Sequence, residues 1–177
     1  LGFGTAYAQL SGTYTIDPSG SGTSNYTTIT SAISALTTSG VNGATVFNIK
    51  QGTYTEQLTF SAIIGTSNAN GVTFQSDPTN TSSPVITFAP TSSAITSNYT
   101  VMFSGATHVT LDGLTIETSG TTYGRVFALS GTSTSNITIA NNTINGSSST
   151  STSSFLAVMY ASNAVFDSLH IENNTFV

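Results

Sequence analysis

One hexapeptide pattern occurs three times in the second half of this 177-residue chain. Leu111-Asp112-Gly113-Leu114-Thr115-Ile116 recurs as Ile139-Ala140-Asn141-Asn142-Thr143-Ile144 and again as Ile171-Glu172-Asn173-Asn174-Thr175-Phe176. Leu114 precedes Asn142 by 28 positions, and Asn142 precedes Asn174 by 32. A period of about 20 to 50 residues belongs to solenoids and propellers, where each repeat covers its neighbour's apolar face. A constant motif at a variable period is what loop insertions on a fixed coil produce. Each copy therefore predicts one rung of a repetitive all-β solenoid.

Within a rung the same order returns. An apolar run (Val101 to Phe103, Val126 to Leu129, Phe155 to Tyr160) is followed by a Ser/Gly/Asn turn and then by two short runs broken by a two-residue kink. The kink pairs are Asp112-Gly113, Asn141-Asn142 and Asn173-Asn174, residue types that tolerate left-handed backbone and bond their own peptides. Stacked at about 4.8 Å, such asparagines would hydrogen-bond from rung to rung as a ladder along the axis. Few of the runs are joined by the Asn-Gly or Asp-Gly turns that hairpins favour, which argues for coils over a sandwich.

Composition decides between order and disorder. Only 5% of residues are charged, yet 37% are hydrophobic and 10% aromatic. Disorder couples low hydrophobicity to high net charge, so an ordered β-rich fold is expected, with the Ser/Thr tract from Ser147 to Ser154 as one loop. The net charge of -5 rests on seven carboxylates against Lys50 and Arg125 alone. Two cations cannot neutralise a row of phosphates, which excludes nucleic acid as a partner. With no cysteine there is no disulfide and no thiolate site. No apolar stretch reaches the roughly 18 to 20 residues that span a bilayer, so membrane insertion is not expected.

The first half reads differently. Residues 1–8 end in Ala6-Tyr7-Ala8 before Gln9, the small-x-small pattern left by an export signal. Residues 9–44 hold a strand, Thr13 to Ile16, and the one good helix candidate, Asn25 to Ser39. There Ile29, Ala32, Ile33 and Leu36 form a single apolar stripe, Ser24 or Asn25 serves as N-cap, and Gly40 terminates. Residues 45–177 form the rungs, which are expected to continue or stack beyond the last residue.

The segments Tyr14 to Gly22, Asn25 to Ile29 with Ala32-Ile33, and Val46 to Glu56 resemble the opening of pectin-lyase-like β-helix proteins. The likeness is to pectin methylesterases and Bacteroidetes β-helix surface proteins above all. The resemblance implies a right-handed parallel β-helix with a short N-terminal capping helix, entered through Gly52-Thr53-Tyr54-Thr55-Glu56. It covers residues 13–60 specifically and is generic afterwards. Fold transfers on such evidence, whereas function must be argued from the site.

Enzymes of this kind use paired aspartates with glutamines and an arginine, clustered aspartates with histidine, or a calcium-binding carboxylate nest with a basic residue. None of those motifs is found here as a motif. The candidates for catalysis, if the chain is an enzyme, are His108, Asp112, His170 and Glu172, placed at similar distances from the kinks. Each is more usually a solvated surface group. Lys50 reads as structural, and Arg125 as the surface partner of Glu117. No cofactor or metal is expected, because the Gly-Gly-x-Gly-x-Asp calcium repeat is absent. Rows of Thr-x-Thr do not repeat at one rung spacing, and the Asn-x-Ser/Thr triplets are expected by chance in so Asn- and Thr-rich a chain.

The residues therefore point to a non-catalytic, secreted or cell-surface structural or adhesive module. Its expected partners are copies of itself stacked end to end, the remainder of a larger surface protein, or glycans. A polysaccharide-active lyase, esterase or hydrolase is the second reading.

Overall fold

A computed structural model of the chain describes residues 8–131, 133–162 and 164–177. The export-signal expectation for residues 1–8 falls, but for Ala8, outside them. The chain opens with β1 (Leu10–Ile16), β2 (Asn25–Tyr26) and α1 (Ile29–Ser39), then winds into coils. The first coil is β3 (Val41–Ile49), β4 (Thr53–Thr55) and β5 (Leu58–Ser61), and the second is β6 (Val72–Ser76), β7 (Val85–Phe88) and β8 (Val101–Ser104). A third follows with β9 (Thr107–Asp112), β10 (Thr115–Thr118) and β11 (Phe127–Ser130). The fourth is β12 (Thr134–Ala140), β13 (Thr143–Asn145) and β14 (Met159–Ala161), and β15 (Phe166–Glu172) and β16 (Thr175–Phe176) begin another.

Strands of successive coils pair in parallel and make three sheets. The first has seven strands, β15-β12-β9-β6-β3-β1-β2; the second has five, β16-β13-β10-β7-β4; the third has four, β14-β11-β8-β5. This is the expected right-handed parallel β-helix.

Register stacks like on like. Phe47, Phe74, Leu111 and Ile139 are consecutive partners in the first sheet and are all buried. Tyr54, Ile86, Ile116 and Ile144 line the second, and Phe60, Phe103 and Leu129 the third. Phe47 and Phe74 stack at 4.6 Å with 16° between their planes, and Phe60 and Phe103 at 5.3 Å. Burying each such ring contributes about 1.5 to 3 kcal/mol, with roughly 0.5 to 1.5 kcal/mol more for the aromatic pairing. Stacked apolar columns do the work of the disulfides that a sequence without cysteine cannot form.

The capping helix occupies the place of a third-sheet strand ahead of β3. Its Ile29, Ala32, Ile33 and Leu36 are buried, and it packs against β1, β2 and β5. The N-cap is Thr28, whose side chain accepts from Ser31 N while the Ser31 hydroxyl accepts from Thr28 N. The expected caps Ser24 and Asn25 are displaced because Asn25-Tyr26 pairs with Thr15-Ile16 as β2, which delays the helix to Ile29. At the other end Gly40 takes φ 70 and its N–H bonds Leu36 O at 2.8 Å.

The segment that carries the family resemblance has a physical role. Tyr54 OH donates to the carbonyls of Lys50 and Ile16 at 2.9 and 3.2 Å, tying the first coil to β1. Burial pushes that phenol up to about 12. Glu56 Oε1 accepts from Ile29 N at 3.1 Å and Oε2 from Thr30 N at 2.8 Å, so a side chain of the first coil holds the start of the helix.

Two further expectations are corrected. The run Phe155 to Tyr160 is not one strand: a 3₁₀ turn at Ser154–Leu156, capped by the Ser153 hydroxyl, precedes β14. Arg125 is not a surface partner of Glu117. It is 2% exposed, its Nε donates to Ser154 O at 2.9 Å, and its guanidinium lies 3.6 Å from the Tyr160 ring centroid. Burial lowers its pKa, while Glu117 Oε2 instead accepts from Asn145 Nδ2 at 3.1 Å.

Candidate functional site

Side chains of the first sheet alternate inward and outward, and its outer face is open along β6, β9, β12 and β15. Two outward columns run across it. Val46, Thr73, Thr110, Thr138 and His170 are successive partners in one; Asn48, Gln75, Asp112, Ala140 and Glu172 are successive partners in the next. A shallow groove of about 300 Å³ lies over the first column, lined by Asn68, His108, Thr110, Asn136, Thr138 and His170 with Ser67 and Gly71.

A backbone irregularity shapes one wall. His108, Asn136 and Ser168 have φ of 55°, 52° and 61°. They fall between the paired positions Thr107/Ser135/Asp167 and Val109/Ile137/Leu169, so they stack as one left-handed bulge on three successive rungs. A non-glycine residue there costs roughly 1 to 2 kcal/mol, more for histidine and serine than for asparagine. Strain repeated on adjacent rungs beside a groove is the kind retained at functional sites.

The bulge also changes the relation between the two histidines. They do not occupy equivalent positions: His108 belongs to the bulge column, and His170 is in register with Thr138 and Thr110. Both nevertheless line the same groove, two rungs apart. His108 Nε2 lies 3.0 Å from Asn68 Oδ1, and its Nδ1 is buried with no hydrogen-bond partner among the described residues. His170 Nε2 lies 3.1 Å from the Ser168 hydroxyl.

Asp112 and Glu172 are brought into one column, with Ala140 on the rung between them. Two inter-strand steps put their backbones about 9.5 Å apart. Asn141 Nδ2 donates to Asp112 Oδ1 at 2.8 Å and orients that carboxylate. Gln75 and Ser168 carry no sequence signal of a site, and Asn136 and Thr138 only that of an Asn-x-Thr triplet. Gln75 is next to Asp112 in its column, and its Nε2 donates to Asn48 Oδ1 at 2.9 Å.

The kink residues do a separate job beneath this face. Gly113, Asn141 and Asn173 take φ of 68°, 57° and 55°, one left-handed residue per rung. The next position points inward: Asn142 Nδ2 donates to Asn174 Oδ1 at 3.1 Å, and Asn142 Oδ1 accepts from Leu114 N at 2.9 Å. Asn174 Nδ2 bonds Ile139 O at 2.7 Å. The asparagine stack runs over two rungs and stops at Leu114, an apolar residue on the third. Among the described residues no group of three or more His, Cys, Asp or Glu could hold a metal ion, and no helix is long and apolar enough to cross a membrane.

No family model matches the chain, and no curated protein matches it. Two crystal structures of the pectin methylesterase from Aspergillus niger do, one deglycosylated and one keeping an N-acetylglucosamine stub. Both superpose with a TM-score of 0.58 at 18% identity, over 96% and 97% of this chain. The chain spans 59% and 58% of their length. Both neighbours are enzymes, which runs against the expectation of a non-catalytic adhesive module. This chain has the pectin-lyase-like, right-handed parallel β-helix fold.

Proposed function

We propose that the chain is a polysaccharide-active enzyme working outside the cell, with the outer face of the first sheet as its reacting surface. The observation that carries this reading is the carboxylate pair Asp112 and Glu172, held in one outward column on either side of Ala140. A backbone separation of about 9.5 Å allows carboxyl groups to stand at the roughly 6.5 to 9.5 Å that admits a water molecule in inverting glycoside hydrolysis.

In this scheme one carboxylate takes a proton from water, the water oxygen bonds the anomeric carbon, and the glycosidic bond breaks. The other carboxyl group delivers its proton to the departing oxygen. Asn141 holds Asp112 fixed for its role, and His170, two residues before Glu172 on the same face of β15, faces the bound saccharide from the neighbouring column. An open groove lined by hydroxyl and amide groups suits a chain that threads past the site.

A second reading, ester hydrolysis, is favoured by the 3.1 Å contact between the Ser168 hydroxyl and His170 Nε2, a nucleophile beside a base. It is also the activity named for the two structural neighbours. Incubation with a panel of plant and bacterial polysaccharides, followed by assays for reducing ends and for released alcohol, tests both. New reducing ends support the glycosidic reading, alcohol without reducing ends supports the ester reading, and no product from any polymer overturns the proposal.

A further inference from the structure

The charge carried by this face selects its substrate, an inference that rests on the reading of the first sheet as a saccharide-processing surface. The whole sequence holds two Lys and Arg residues. Neither is available to the groove. Lys50 Nζ is committed to Asp77 Oδ2 at 3.1 Å and Thr79 Oγ1 at 3.0 Å, beyond the end of β3. Arg125 is buried ahead of the third sheet, with its guanidinium against the Tyr160 ring and its Nε on Ser154 O.

Carboxylates, in contrast, are present on this face. Asp112 and Glu172 stand in the column beside the groove, and Asp167 is in register with Ser135 and exposed at its far end. The groove itself offers hydroxyls from Ser67, Thr110 and Thr138, amides from Asn68 and Asn136, and the imidazoles of His108 and His170. These donors and acceptors match sugar hydroxyls. Hydroxyls and amides carry no charge to neutralise a uronate, and like charges facing one another across a groove suppress binding and slow encounter.

We infer that the groove takes an uncharged glycan and rejects polyuronates in their free-acid form. The absence of a free Lys or Arg over a face carrying Asp112, Asp167 and Glu172 is the feature that requires it.

The direct comparison uses one polymer in two charge states: a polygalacturonate of fixed length, fully methyl-esterified and as the free acid, alongside a neutral β-glucan. Binding by the full chain is followed by affinity electrophoresis at neutral pH and low salt. The uncharged polymers are expected to bind on the order of tenfold more tightly than the free acid, with the gap narrowing as salt is added. Equal or tighter binding of the free acid would overturn the inference while leaving the groove assignment standing. A Thr138→Lys variant is expected to close the gap by recruiting the free acid, and an unchanged gap in that variant overturns it as well. Failure to bind any of the three polymers sinks the groove assignment and the inference together.

Discussion

Asn142 carries more of the second half than its size suggests. It is 2% exposed, accepts from Leu114 N, and donates to Leu111 O at 3.0 Å as well as to Asn174. Removing it strands a buried N–H and a buried carbonyl, so Asn142→Ala is expected to lower stability by about 2 to 3 kcal/mol in urea unfolding. Asn141→Gly, one residue earlier at φ 57° and exposed, is expected to cost only a few tenths. Equal losses in the two variants would contradict the role given to the inward amide. Asp77 makes a pH prediction. Hydrogen bonds from Thr79, with Lys50 beside them, hold its pKa below the ordinary 3.8. A carboxylate depressed in the folded state stabilises above its unfolded value, and that stability is lost as pH falls through the folded one. The urea midpoint of the wild type should therefore fall on going from about pH 5 to pH 2, and Asp77→Asn should flatten that slope. A slope unchanged in the variant would remove Asp77 from the account.

At the scale of single elements, the helix and the bulge show what the sequence makes legible. The apolar stripe Ile29, Ala32, Ile33 and Leu36 is visible because it repeats at helical spacing, and all four residues are buried. Its start was not visible, because pairing of Asn25-Tyr26 with β1 overrides the capping preference of Asn25. The grip of Glu56 on the helix start, across 27 positions, has no local signal at all. The first turn of α1 contains no acidic residue of its own, so Glu56 supplies the negative charge there. Glu56→Ala is expected to cost about 1 to 2 kcal/mol, read as a lowered urea midpoint. No change would mean that the capping box of Thr28 and Ser31 suffices alone. The left-handed column was equally hidden: His108, Asn136 and Ser168 are three different residue types in one backbone state, so no repeated letter betrays it. Gly113, Asn141 and Asn173 were legible because their types favour that state.

For the whole molecule, repetition made the fold readable and obscured the site. Like residues on successive rungs build the apolar columns, and a sequence shows them as returning motifs. The proposed reacting site is built from unlike residues on different rungs, Asp112 and Glu172 separated by Ala140, whose juxtaposition depends on register. The sequence named both carboxylates and both histidines but grouped them by distance from the kink. Register instead sets His170 beside Glu172 and sends His108 to the bulge. The most direct test is steady-state turnover of the best polysaccharide by the wild type, Asp112→Asn and Glu172→Gln, with unfolding curves to show that all three are folded. Loss of one member of an acid–base pair costs about 10² to 10⁴ in rate. The account predicts a fall in kcat of that size in each variant with binding retained; wild-type kcat in either folded variant would contradict it.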